Sequence, residues 1–129
     1  MKIRINRNHL RFRLRQHDVT ALSENGSIIE RIEFGETTDQ QFSFSLENSD
    51  NENMSIAYNN NKVQVIVPKN VLDTWINTDQ VGIAADLTTD FDRTISVLIE
   101  KDFACLELGE EDNIGTYTNP LADCRPSNL

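Results

Sequence analysis

Leu10-Arg11-Phe12-Arg13-Leu14-Arg15 alternates apolar and cationic residues. A period of two is the spacing at which side chains take opposite faces of a β-strand. The segment therefore predicts a strand with one apolar face and one guanidinium face. Lys2-Ile3-Arg4-Ile5 carries the same alternation before it, and Asn6 to His9 reads as the turn between them, since asparagine tolerates the left-handed backbone of tight turns. A hairpin is expected at the start of the chain.

Similar patterns recur to about residue 100. His17 to Asn25 predicts a short helix, with Val19 and Leu22 on one side and Gly26 as its stop. Ser27 to Phe34 predicts a strand with mixed faces: Ile28, Ile32 and Phe34 alongside Glu30, and Ile29 with Arg31 and Glu33. Gln41 to Leu46 reads as a half-buried strand, with Phe42, Phe44 and Leu46 inward and Ser43 and Ser45 outward. Glu47 to Asn53 is almost devoid of apolar residues and is expected to be a loop. Met54 to Tyr58 and Lys62 to Val67 form a second hairpin around Asn59-Asn60-Asn61. Pro68 ends that strand. Asn70 is placed to cap a helix over Val71 to Asn77 that buries Leu72, Trp75 and Ile76. Gln80 to Leu87 and Thr94 to Glu100 are the last strong strands, the latter prolonged through Lys101 to Leu106.

These elements predict an α+β protein of about eight mostly antiparallel strands and two short helices. The sheet is expected to curl into a barrel or half-barrel. A two-layer α/β sandwich, with both helices on one face, is the alternative. No internal repeat stands out beyond the general strand pattern. A single globular domain is expected over residues 1–108, followed by an acidic, polar extension over 109–129.

Composition sharpens the picture at one end of the chain. The protein has 129 residues and a net charge of −9. Lys2, Arg4, Arg7, Arg11, Arg13 and Arg15 are half of its Lys and Arg, and no Asp or Glu lies among them. The remainder is strongly acidic, which argues against nucleic acid or an anionic membrane as the general partner. No apolar run is long enough for a membrane-spanning helix, and Lys2, Arg4 and Arg7 interrupt any signal-peptide core. A cytoplasmic setting is expected, with Cys105 and Cys124 as free thiols.

Several segments together resemble a small family of uncharacterised bacterial proteins of about this length. They are Met1 to Ile5 with Leu10 to Leu14, Thr78 to Ile83, Ile99 to Leu106 and Thr118-Asn119-Pro120. The resemblance covers essentially the whole chain, and Glu100 to Leu106 is its most specific part. It implies a compact single-domain bacterial protein and brings no activity, cofactor or catalytic residue with it.

Chemistry is sparse. There is no glycine-rich phosphate loop, no Cys-x-x-Cys, no His-Glu-x-x-His and no Gly-x-Ser-x-Gly. Arg11, Arg13 and Arg15, with Arg4 nearby, offer bidentate forks for a polyanion if their face is open and unpaired. The bland counterpart is cross-strand pairing with Glu30, Glu33, Glu47 or Glu100. Glu100-Lys101-Asp102 is the second constellation, a polar cluster at a strand end. Barrel enzymes that process triphosphates carry Glu-x-Glu-x-Lys on a first strand, whereas this first strand is purely basic. Trp75 reads as a plug of the sheet, and Cys105 as a buried structural thiol far in sequence from His9 and His17.

The leading expectation is a non-enzymatic binding or interaction protein whose arginine face holds an anionic small molecule or an acidic protein partner. Ligand-binding residues are expected among Arg4, Arg11, Arg13, Arg15, Glu100, Lys101 and Asp102. No cofactor or metal is specified. One alternative is a small metal-dependent phosphate-processing enzyme with Glu100 and Asp102 as ligands and Arg11, Arg13 and Lys101 as clamps. Another is a structural homodimer paired through edge strands.

Overall fold

The computed structural model describes residues 1–103. The chain runs β1 (Lys2–Asn6), β2 (His9–Leu14), α1 (Gln16–Asn25), β3 (Ser27–Glu33), a 3-10 turn (Thr38–Gln40), β4 (Gln41–Ser49), β5 (Ser55–Asn59), β6 (Lys62–Pro68), α2 (Lys69–Asn77), β7 (Gly82–Thr88) and β8 (Thr94–Lys101). The strands form two four-stranded sheets, ordered β1-β2-β8-β7 and β3-β4-β6-β5. The expected barrel is therefore replaced by a sandwich-like α+β arrangement in which the second layer is another sheet. The last strand ends at Lys101, so Asp102 and Phe103 do not prolong it as expected; the rest of that expectation, Cys105, Cys124 and the acidic extension lie outside the described residues.

The hairpins are antiparallel, as their short turns require. The two central pairings, β2 with β8 and β4 with β6, are parallel. Local patterning carries no trace of them, because each joins strands that are not consecutive in sequence.

The pairings expose an internal duplication. Residues from β1 to β4 form a ββαββ unit, and residues from β5 to β8 form another. Exchanging the units converts one sheet's strand order, pairing sense and register into the other's. One interval in sequence separates Ile3 from Ile56, Phe12 from Val65, Leu22 from Trp75 and Leu46 from Ile99. All of these but the half-buried Ile3 are buried in the core. Each sheet takes one hairpin from each unit, so neither unit completes a sheet alone. The expectation of no repeat fails because the units share a pattern of buried positions more than residue identities.

Phe12 of one sheet meets Phe44 of the other edge to face, with centroids 6.3 Å apart. That contact bridges the two layers, in a geometry aromatic rings favour. Each helix carries the chain from one sheet to the other. Leu22 of α1 and Trp75 of α2 are both buried. Trp75 is fully enclosed, and its indole N–H donates to the Val81 carbonyl at 3.0 Å. The expected plug is in place.

Local signals explain the element ends. Gly26, at φ +78°, closes α1 with its N–H donating to the Leu22 carbonyl at 2.9 Å. The second helix begins at Lys69 after Pro68, earlier than a cap at Asn70 predicts. Its proline supplies the fixed φ of a helix entry and has no N–H to satisfy. β4 continues to Ser49, so Glu47 is a strand residue and not part of a loop. Parallel pairing with β6 runs from Ser43 through Ser49 and supplies the backbone partners that hold this polar end extended. The mixed face of β3 also resolves: Glu30, on the core side of an edge strand, receives the Met1 ammonium at 2.8 Å.

Candidate functional site

Alternation puts Lys2, Arg4 and Asn6 of β1 on the outer face of the first sheet, with His9, Arg11 and Arg13 of β2 beside them. Register extends these into rows across all four strands: Lys2-Arg13-Glu100-Gly82, Arg4-Arg11-Leu98-Ala84 and Asn6-His9-Ser96-Asp86. The arginine face thus runs into β8 and β7, with a small apolar floor at Leu98 and Ala84.

Glu100 is the hub of the first two rows. Its Oε1 accepts the Arg11 Nε–H at 2.6 Å and the Arg13 Nε–H at 2.8 Å. Both arginines are half-buried, and the carboxylate is more enclosed than either. Charge-assisted bonds of this length are strong ones. The cross-strand pairing weighed for the arginines is present, with Glu100 as the partner. Asp102 takes the next position, with Lys2 Nζ at 3.5 Å and Arg15 Nε at 3.9 Å.

Arg4 differs. It lies directly across the hairpin from Arg11, is exposed, and its side chain has no hydrogen bond or ion pair among the described residues. Like charges opposed across a strand pair are destabilising unless an anion intervenes. Beside them opens a cleft of about 310 Å³ lined by Arg4, Arg11, His9, Ala84, Asp86 and Leu98, among others.

The structure brings Arg4, Arg11, Arg13 and Glu100 onto one face, with Arg15 and Asp102 at its margin. Lys101 does not join them. It lies on the opposite face, donates to the Thr78 carbonyl at 2.8 Å and sits 5.6 Å from the Trp75 ring centroid. Among the described residues no group of three or more His, Cys, Asp or Glu side chains is placed to hold a metal ion. Glu100 and Asp102 are instead engaged by cations.

Asp86, Ser96, Leu98 and Ala84 escape sequence reasoning. The alternation of β8 marks Ser96, Leu98 and Glu100 as one face, but only the parallel β2–β8 pairing reveals that this is the arginines' face. No described helix is long and apolar enough to cross a membrane. Comparison with curated proteins and with solved structures yields no match. The pattern of a family of unknown function, DUF7009, matches residues 1–121, and the chain belongs to that family.

Proposed function

We propose that this is a non-enzymatic binding protein that holds an anionic small molecule on the outer face of the β1-β2-β8-β7 sheet. One observation carries the reading: Arg4 and Arg11 oppose each other beside a cleft, and Arg4 has no counter-ion among the described residues. A bound anion between them removes the repulsion and supplies the missing partner. Glu100 then acts as a fixed brace. It orients the Arg11 and Arg13 guanidinium groups before the ligand arrives, which lowers the entropy lost on binding. Leu98 and Ala84 offer an apolar shelf for the body of such a ligand.

The reading includes a bacterial, cytoplasmic setting. It draws on the family resemblance and on the absence of a disulfide framework in the cysteine spacing.

Thermal shift against sodium tripolyphosphate, with and without Mg²⁺, tests it. The expected result is a rise in melting temperature that needs no metal and disappears in Arg4→Ala/Arg11→Ala. A shift seen only with Mg²⁺ favours the phosphate-processing alternative. No shift at all, with a melting temperature that depends on protein concentration, favours a structural oligomer.

A further inference from the structure

We propose that the outer face of the β3-β4-β6-β5 sheet holds a second site, specific for a small oxyanion carried on an apolar body, such as an aryl or alkyl phosphate monoester.

Exchanging the two ββαββ units maps the arginine-face cleft onto a second cleft of about 330 Å³, whose lining includes Ile29, Arg31, Ser43, Lys62 and Gln64. The row Asn6-His9-Ser96-Asp86 becomes Asn59-Lys62-Ser43-Arg31. Fold and serine are retained while the charge is reversed. In the first sheet the Ser96 hydroxyl donates to the Asp86 carboxylate at 2.7 Å, so that row is already satisfied. In the second sheet a guanidinium stands where Asp86 stood.

Three groups converge on the second cleft. Ser43 is only 9% exposed, it lines the cleft, and its hydroxyl makes no hydrogen bond among the described residues. That hydroxyl is not sealed from solvent, so a ligand oxygen entering the cleft can accept its hydrogen bond. Arg31, on the neighbouring strand in direct register with Ser43, is exposed and has no partner among the described residues. Lys62, in register on the other side, lies 3.5 Å from Glu47, and that carboxylate is also held by the Gln64 amide at 2.7 Å. Neighbouring strands lie about 4.8 Å apart, so Arg31 and Lys62 flank the serine within reach of one oxyanion. A phosphate monoester presents enough oxygens for a guanidinium fork, an ammonium and a hydroxyl together.

The apolar half of the ligand follows from Ile29. It precedes Arg31 on the same face of β3, is 43% exposed and lines the same cleft. Its counterpart in the first sheet is Ala84, so the second cleft offers the larger apolar wall. This site does not depend on the arginine face.

Nitrogen-15 correlation spectra of the full chain, titrated with phenyl phosphate and separately with sodium chloride of equal ionic strength, test the proposal. Amide shifts are expected at Ile29, Ser43 and Gln64 with phenyl phosphate and not with chloride. Inorganic phosphate should bind the same residues more weakly, for want of the apolar body. Arg31→Ala, an exposed substitution, should weaken binding by about tenfold or more, and Ser43→Ala should weaken it less. Arg4→Ala should leave these shifts in place even if it abolishes those on the other sheet. Shifts that chloride reproduces, shifts confined to the arginine face, or shifts indifferent to Arg31→Ala each overturn it.

Discussion

Glu47 and Glu100 occupy equivalent positions in the two ββαββ units, each on the outer face of a strand that pairs in parallel with a strand of the other unit. Each gathers donors from that neighbour. Glu100 receives Arg11 and Arg13. Glu47 receives Gln64, with Lys62 close by and Ser45 donating from its own strand. Arg11 and Gln64 are themselves equivalent. One carboxylate thus clasps the centre of each sheet, where the two units meet.

Removing the clasp from the first sheet should lower stability and affinity together. Glu100→Gln keeps the shape but leaves two half-buried guanidinium groups without their anion. We expect a loss of about 1–3 kcal/mol by chemical denaturation. The arginines, no longer oriented before the ligand arrives, should hold tripolyphosphate more weakly than in the parent protein. Lower stability together with unchanged or tighter binding would contradict the role of Glu100 as a brace.

Glu47 gives the second sheet a pH dependence. Partial burial works to raise its pKa, but the bonds from Ser45 and Gln64 and the Lys62 charge prevail and hold it below the ordinary 4.5. A carboxyl depressed on folding stabilises the protein above its unfolded pKa, and that contribution fades as pH falls through the folded value. Melting temperature should therefore drop below about pH 4.5 more steeply in the parent than in Glu47→Gln. Parallel pH profiles for the two proteins would show that Glu47 contributes no such term.

Trp75 fills in the second unit the position of Leu22 in the first, and it is the bulkier plug. Trp75→Ala should cost about 3–5 kcal/mol, the range for deleting a large buried aromatic. Trp75→Phe should cost less, and much of what remains reflects the Val81 carbonyl losing its indole donor. Equilibrium urea denaturation of both variants measures the difference.

The hairpin turns give a test of the duplication itself. Arg7 and Asn60 are equivalent turn residues with φ of 54° and 51°. Left-handed backbone is costly for arginine and milder for asparagine. Arg7→Asn should raise stability by about 0.5 kcal/mol, whereas Asn60→Arg should lower it by a similar amount. Opposite signs at matching positions are the signature of a shared turn geometry.

Much of this architecture is written locally. The turn at Asn59-Asn60-Asn61, the Gly26 stop and the alternations of β2, β4 and β8 all fix elements through short-range physics. What joins those elements is not local. Parallel pairing of β2 with β8 leaves no mark on either strand, so the sequence shows Arg11, Arg13 and Glu100 but not their meeting at one oxygen. The same blindness hides the duplication, since Phe12 and Val65 agree only in being apolar. Glu47 looks like loop residue by composition, and only its neighbours on β6 make it a strand residue. Lys101 follows the alternation rule and faces away from Glu100 toward Trp75. Its place apart from the arginines is legible in the pattern itself.

The most direct test of the arginine-face reading is calorimetric titration of the protein with tripolyphosphate in metal-free buffer, beside Arg4→Ala. Arg4 is exposed and lacks a partner among the described residues, so its removal should not lower the melting temperature of the free protein while weakening affinity by about tenfold. Equal affinity in the two proteins, or heat that vanishes at matched ionic strength, would contradict an anion held between Arg4 and Arg11.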